Sequence, residues 1–471
     1  LKINLIKYAP IIEKARTSFW FIPTFMVLSS IVLVICTVCI DIFYINSFYL
    51  NTVVSDSSEQ FIPLVYAMDI DAIRSLLATI AGAMITVTSI AFSITIVALT
   101  LASSQFGPRL LRNFMMDTGT QIVLGFFISN FLFCILVFCA ISFQQPYVFK
   151  PGLTIMLAVM MTCISVAVLI YFIHHVAKSI QADVVINDVY QELQTSISHL
   201  FPPITKLQSP EFCVDNYAGS YADKGDSNFK PRINQNNVLA KCSGYIQTID
   251  QKKLLALASE YDVLIECLFR PGNFVVKGAV IAVVHADNLM TKDVLKKTVD
   301  IVILGAYRTP VQDPEFAIHQ IVEVALRALS PGINDPYTAI TCVDKINSAL
   351  CELTTREFPV RHHYDQAGML RMVSKVLTFT YIATAAFDQI RQQANNNVAV
   401  TIRLLESLQT LMAFAQTQEQ SQFVISQTKM IAEQQAEQPL AANDFSDINK
   451  RVDMIFKASK DKASLAKNHI S

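Results

Sequence analysis

Residues 75–102 read SLLATIAGAMITVTSIAFSITIVALTLA, a stretch with no Asp, Glu, Lys, Arg or His. An α-helix rises about 1.5 Å per residue, so about 20 apolar residues cross about 30 Å of hydrocarbon. This run is long enough to span a bilayer and to tilt or project beyond it. Three more runs meet the same criterion, near 19–40, 121–142 and 153–176. Phe19 and Trp20 stand at the edge of the first, where aromatic rings anchor at the membrane interface. The N-terminal run is about 22 residues, longer than a signal-peptide core, and no small-residue cleavage site ends it. It reads as a retained span. A chain that starts on Leu1 reads as a non-standard or truncated start.

Within the second span, Thr79, Thr86, Ser93 and Thr100 recur every seven residues, with Ser75, Gly82, Ser89 and Ser103 in the intervening steps. On a helix these positions form one small, hydroxylated stripe. Such a stripe packs tightly against another helix, lines a polar conduit, or bonds back to its own helix carbonyls. The helix seam is the commoner use of small residues in membranes. No charged residue lies in the middle of any span, whereas a proton relay or charge-coupled pump needs one.

Orientation follows from Lys and Arg. Lys2, Lys7, Lys14, Arg16, Arg109, Arg112 and Lys178 lie on one side; Lys150 is the single counterpart, and the 41–71 loop has none. The positive-inside rule then places both termini in the cytoplasm of a multi-pass inner-membrane protein.

Hydrophobic residues make up 52% of the 471-residue chain and charged residues 16%, with the apolar excess in the first 180 residues. A formal net charge of −1 gives no basic surplus for nucleic acid. The ten cysteines show no disulfide framework and no metal-ligand spacing. Cys36-Thr-Val-Cys39 reads as helix packing inside an apolar run. His174 and His175 are adjacent on a helix and cannot both face one ion. No metal or cofactor is expected.

Beyond the fourth span the helix is expected to continue to about His199, with Pro202 and Pro203 ending it. Residues 206–237 read as a polar loop. Val238–Ile249 and Val263–Phe269 read as strands around a helix at 252–260. The Pro-Gly turn at 271–272 leads to a short strand, a second turn and Ala279–His285. That pattern resembles half of a barrel-sandwich module but lacks the lysine that carries a prosthetic group, so a small structural β-module is the expectation. Residues 305–336 hold two Asp-Pro pairs, Asp313-Pro and Asp335-Pro. Each fits a helix start, with Asp as cap and Pro at the first helical position. A sharper reading brings Arg308, Gln312, Asp313, His319, Glu323, Arg327, Asn334 and Asp335 together in a polar cleft. No nucleophile-elbow, zinc, P-loop or dinucleotide motif names a reaction, which points away from an enzyme. From Ala367 the pattern is helical. One stripe starts at Val373, Val376, Leu377 and Tyr381 and another runs from Val400 to Met412. A Gln-rich stretch at 416–438 and a short basic helix at 447–457 follow.

Several segments resemble one bacterial membrane family, catalogued as domain of unknown function 2254. They are Ser18–Met26, Phe92–Arg112, Tyr171–His175, Ser179–Ala182, Arg308–Asp313 and Ala325–Pro336. The resemblance covers roughly residues 15 to 415 and implies an architecture, not an activity. Ala317 and His319 stand where the family pattern has Gly and Arg.

The expected fold is a membrane α-helical bundle of four transmembrane helices followed by an α+β cytosolic domain. Its expected parts are a 1–18 arm, a transmembrane domain at 19–180, and a helical extension with a loop at 181–237. A β-module at 238–300, an Asp-Pro-capped helical segment at 301–356, C-terminal helices at 357–460 and a frayed 461–471 tail complete it. The expected partners are the lipid bilayer, further copies of the chain, and an unidentified small ligand or ion, with no nucleic acid. Two functions fit: a homo-oligomeric channel-like conduit regulated by its cytosolic domain, or a non-conducting scaffold or sensor.

Overall fold

The computed structural model describes residues 20–45, 69–110, 114–115, 117–143, 151–204, 234–287 and 292–468. The 1–18 arm, Arg112, Lys150, most of the 41–71 loop and most of the 206–237 loop lie outside the described residues. The chain separates into two compact units, residues 1–184 and 185–471.

Four helices of the first unit are long and apolar enough to cross a membrane: α1 (Phe21–Ile40, continued by a π-helical turn Asp41–Ile45), α2 (Ile70–Phe106), α3 (Thr118–Phe143) and α4 (Gly152–Ser179). At 37 residues, α2 is about 55 Å long, well beyond the hydrocarbon thickness. Arg74 falls inside α2, beside Asp71 at 3.4 Å. It puts one positive charge next to the 41–71 loop and, with Lys150, makes two on that side of the Lys and Arg count.

The centre of this unit is α3, which packs on α1, α2 and α4. Its inward side chains include Leu124, Phe127, Phe133 and Val137, all fully buried. Gly125 lets α1 approach. A Cβ there would stand 2.8 Å from Met26 Sδ and 3.1 Å from the Pro23 Cα. One turn on, Ser30 Oγ donates to the Ser129 carbonyl at 2.8 Å. Against α4, Asn130 Nδ2 donates to Ser165 Oγ at 2.9 Å in the middle of the bundle.

The helix ends are tied by carboxylates. Asp41, 1% exposed, accepts from Leu153 N at 3.0 Å, Thr154 N at 2.9 Å and Thr154 Oγ1 at 2.6 Å, so a side chain of the first helix caps the fourth. Asp117 caps α3 through Thr120 N at 2.9 Å and Thr120 Oγ1 at 2.6 Å, and meets His175 Nε2 at 2.7 Å. His174 is exposed and takes no part.

The boundary between the units falls in the first turn of α5 (Ala182–Leu200). The expected continuous fourth helix is interrupted at Ile180 and Gln181, where Gln181 N bonds Lys178 O in a tighter turn. A β-module follows, with α6 (Gln251–Glu260) and α7 (Lys292–Ile301) packed on its sheets. Its strands are β1 (Asn234–Leu239), β2 (Gly244–Ile249), β3 (Leu264–Cys267), β4 (Phe274–Val275), β5 (Val280–Ala286) and β6 (Val302–Gly305). The single strand expected at 238–249 is two. The chain bends at Ala240–Ser243, so β1 pairs with β5 while β2 pairs with β4 and β6. Two helices come next, α8 (Pro314–Ala328) and α9 (Pro336–Leu353). After them β7 (His362–Tyr364) and β8 (Leu370–Val373) return to the five-stranded sheet, order β1-β5-β3-β8-β7. Val373 is therefore a strand residue, and the helix read from it begins only at Phe379.

The helices α10 (Phe379–Gln393), α11 (Val398–Phe414), α12 (Gln418–Ala436) and α13 (Ala442–Asn468) complete the unit. The Gln-rich stretch is α12. Its Gln427 is buried and bonds Asp388 at 2.8 Å and Arg391 at 3.2 Å, an apolar-helix role filled by amides whose partners come from α10. The last helix runs well beyond the short one expected at 447–457.

Gly125 and Gly82 differ in what surrounds them, and the difference is measurable. Gly125→Leu is expected to cost about 1–3 kcal/mol, as overpacking does. Gly82→Leu should leave the detergent-solubilised monomer's unfolding midpoint unchanged, because nothing lies within 4 Å of a Cβ there. Equal shifts in the two variants would contradict the central position of α3.

Candidate functional site

Two groups of polar residues were singled out by sequence, one in the first unit and one in the second. On α2 the core face carries Ile73, Leu77, Ile80, Ala81, Met84, Thr88 and Ala91. The stripe lies on the other side: Thr79, Thr86, Ser89, Ser93 and Thr100 are all exposed. Within one chain the stripe is therefore not a helix seam; that role falls to Gly125 and Ser129 of α3. Thr79 Oγ1 donates to Ser75 O at 2.7 Å, Thr86 Oγ1 to Gly82 O at 2.8 Å, Ser89 Oγ to Ile85 O at 3.0 Å and Thr100 Oγ1 to Ile96 O at 2.9 Å. Back-bonding, the third reading of the stripe, is realised at these four positions.

In the second unit the eight cleft residues divide between the two ends of α8. Fifteen residues make that helix about 22 Å long, too far for them to converge. At its start, Arg308 meets Asp313 in a two-point pair, Nε to Oδ2 at 2.7 Å and Nη2 to Oδ1 at 3.0 Å. Arg308 Nη2 also lies 3.4 Å from Glu315 Oε2, which takes a 2.8 Å bond from Arg270 Nη2. His319 reaches Glu315 Oε1 at 3.4 Å. Arg270 comes from the turn between β3 and β4, and its guanidinium stacks on the Tyr381 ring at 4.8 Å. Gly272, at φ +90°, presses against the Asp313 carboxylate, where a Cβ would sit 2.4 Å from Oδ2. Gln312 turns the other way: its Oε1 accepts from Ile249 N at 2.9 Å, extending β2.

The expected capping role fails at Asp313, whose side chain caps nothing because Arg308 takes both oxygens. It holds at Asp335, which accepts from Tyr337 N and Thr338 N at 3.1 Å each. Asn334, at φ +49°, makes the turn before it. Glu323 and Arg327 lie on the third and fourth turns of α8, away from the Asp313 group.

Asp313 and Glu315 are both almost fully buried. Burial opposes ionisation of Glu315, but hydrogen bonds from His319 and Arg270 outweigh it and hold the carboxyl at about 2. On Asp313 burial prevails and pushes the carboxyl up against the Arg308 bonds. Two guanidinium groups face two carboxylates, so the cluster is balanced within itself and ties the β-module to α8. Arg270 and Glu315 escaped the sequence reading. Glu315 followed Asp313-Pro in plain view, but its partner stands 45 residues earlier in the chain.

Beside Gln312 is a cleft of about 500 Å³, lined by Thr248, Ile249, Asp250, Lys252, Lys253 and Asp300 among others. Among the described residues no group of three or more His, Cys, Asp or Glu side chains is placed to hold a metal ion.

Residues 16–410 match the model of a family described as predicted membrane protein, domain of unknown function 2254. The chain belongs to that family. It is 30% identical over 342 residues to an uncharacterized protein of Mycobacterium bovis, covering 71% of this chain and 63% of that one. An uncharacterized protein of Mycobacterium tuberculosis strain H37Rv matches to the same extent. The chain thus spans less than two thirds of the length of these relatives. No solved structure matches it.

The two aspartates should respond differently to the same substitution. Asp335→Asn is expected to be tolerated, since Asn also caps, and Asp335→Ala to cost about 0.5–2 kcal/mol. Asp313→Asn should cost about 3 kcal/mol, because losing one partner strands a largely buried guanidinium. Thermal unfolding of the second unit's transition checks this, and a silent Asp313→Asn would remove its ion-pair role.

Proposed function

We propose that the chain forms a homo-oligomeric, channel-like conduit in the inner membrane, with both termini and the second unit in the cytoplasm and the second unit regulating it. The position of the stripe carries this reading. The interior of the four-helix unit is filled by Phe127, Phe133, Phe172 and their neighbours, each fully buried. The small, hydroxylated side of α2, interspersed with the exposed Ile90, Ile96 and Val97, points outward instead, so a pathway would form between copies rather than through one. Each bonded hydroxyl spends its proton on its own helix and keeps its oxygen lone pairs outward. A wall of that kind would favour cations and hydrogen-bond donors over anions.

The same bonds support a second reading, a non-conducting scaffold or sensor. A back-bonded hydroxyl needs neither water nor a partner, and the 500 Å³ cleft of the second unit is a place for a small ligand.

Cysteines at Thr86, Ser93 and Thr100 separate the two, after Cys36, Cys39, Cys134, Cys139 and Cys163 are replaced. A conduit exposes all three to small charged thiol reagents, and labelling changes flux in reconstituted vesicles. Protection of all three in a correctly assembled protein leaves the scaffold. The orientation has its own check: a reporter fused after His199 should behave as cytoplasmic and one at Ser57 as periplasmic, and the reverse would place the second unit outside.

A further inference from the structure

Each of the four spans places a buried polar side chain at its midpoint. Ser30 is the tenth of the 20 residues of α1, and Thr88 the nineteenth of the 37 of α2. Asn130 is the thirteenth of the 26 of α3, and Ser165 the fourteenth of the 28 of α4. Ser129 stands beside Asn130, and none of the five is more than 4% exposed. They share one level: Ser30 Oγ bonds the Ser129 carbonyl, and Asn130 Nδ2 bonds Ser165 Oγ. This polar layer divides the apolar interior in two. One cluster holds Met84, Phe133 and Met161, the other Ala91, Phe127 and Phe172. Along α2, α3 and α4 the polar residue falls between the two each time, so apolar packing closes the layer on both sides.

Most protons in the layer are spent. Thr88 Oγ1 donates to Met84 O at 2.6 Å and Ser165 Oγ to Met161 O at 2.9 Å, each on its own helix. Asn130 Oδ1 accepts from Cys134 Sγ at 3.7 Å. Among the described residues two donors are left over. Ser129 Oγ is buried and has no hydrogen-bond partner. One of the two amide protons of Asn130 has no acceptor either, since its nitrogen bonds Ser165 alone. Ser129 lies one turn from Gly125, on the side of α3 that meets α1, and Asn130 on the side that meets α4. A buried donor left bare is costly, and protein interiors satisfy such groups with protein or with water.

Whatever completes the layer must accept hydrogen bonds and be small. It must also be uncharged, because none of the five side chains carries a charge and a lone ion is expensive at mid-bilayer. Water meets all three conditions: it accepts twice and donates to the lone pairs of neighbouring hydroxyls. We propose that the middle of the bundle holds a buried water molecule that accepts from Ser129 Oγ within the polar layer shared by the four spans. It is a closed site rather than a passage, and it is independent of whether the protein conducts along the outward stripe of α2.

Two measurements test the site on full-length protein. Imaged in lipid nanodiscs at a resolution that shows ordered waters, the protein should carry density about 2.8 Å from Ser129 Oγ. A clean map with none there overturns the proposal. Unfolding in mixed micelles gives the second readout, with Thr88→Val as reference because the Thr88 hydroxyl is spent on its own helix. Ser129→Ala should lower the folded-to-unfolded ratio about fivefold relative to Thr88→Val, the worth of one hydrogen bond. No difference between the two would mean that the Ser129 hydroxyl also turns to its own helix. A higher ratio for Ser129→Ala would mean that the hydroxyl is bare. Either result overturns the proposal.

Discussion

A helix that starts against hydrocarbon has backbone N–H groups that water cannot reach, and leaving them bare costs several kcal/mol each. In the first unit α2 and α3 meet that constraint with the residue just before them, Asp69 and Asp117, while α4 meets it from another helix. Asp41 satisfies the start of α4 from the end of α1, 112 residues earlier, and gives its two oxygens to three donors. Asp117 meets the start of α3 and in the same act takes His175 near the far end of α4. The fourth helix is thereby pinned at both ends, to α1 at one and to the α3 cap at the other. The termini that could have been the weak points of the bundle set its order.

With α4 fixed in this way, α3 is enclosed, and its small residues become the points of closest approach. Gly125 accepts the Pro23 turn of α1, while Asn130 reaches Ser165 of α4. An amide buried in the middle of a bundle holds register, because sliding either helix by a turn would leave it unpaired. The core face of α2 then has to be its Ile73–Ala91 side, and the hydroxylated side is turned out. The direction of the stripe is a consequence of how α3 is buried.

The spans were legible because a run of about 20 uncharged residues has few other uses. The Asp335-Pro cap was legible for a similar reason, since cap, proline and first-turn donors are neighbours in the chain. Periodicity said which residues share a face of α2 but not what that face meets, since the answer depends on Gly125 some 40 residues away. Asp313 shows the same limit. Its local pattern is that of a cap, yet Arg308 takes both of its oxygens, and Gly272 of the Arg270 turn, from a different element, packs against the carboxylate. The polar cleft failed on length alone: once α8 is a helix, Asp313 and Asp335 must lie at opposite ends. Residues 370–373 read as helix because Leu370 and Val373 also suit helical spacing. The open edge of β3, which β8 joins in parallel, decides otherwise.

The bonded hydroxyls of α2 also limit how copies could associate. A serine or threonine that donates to its own i−4 carbonyl has no proton left for a neighbouring helix and can only accept there, so two such hydroxyls meeting from two copies cannot pair without breaking an internal bond of similar strength. Association along Ser75–Thr100 would then rest on close backbone packing, for which Gly82 and the serines leave room. Packing of that kind is sensitive to volume and indifferent to polarity, so a serine-to-alanine change on the stripe preserves it while a leucine does not. A water-facing wall makes the opposite demand, because it needs the oxygen and tolerates bulk that points into an open lumen. The two uses of one stripe are thus separable by chemistry at single positions, and Ser93, in the middle of the exposed face, is where the demands conflict most.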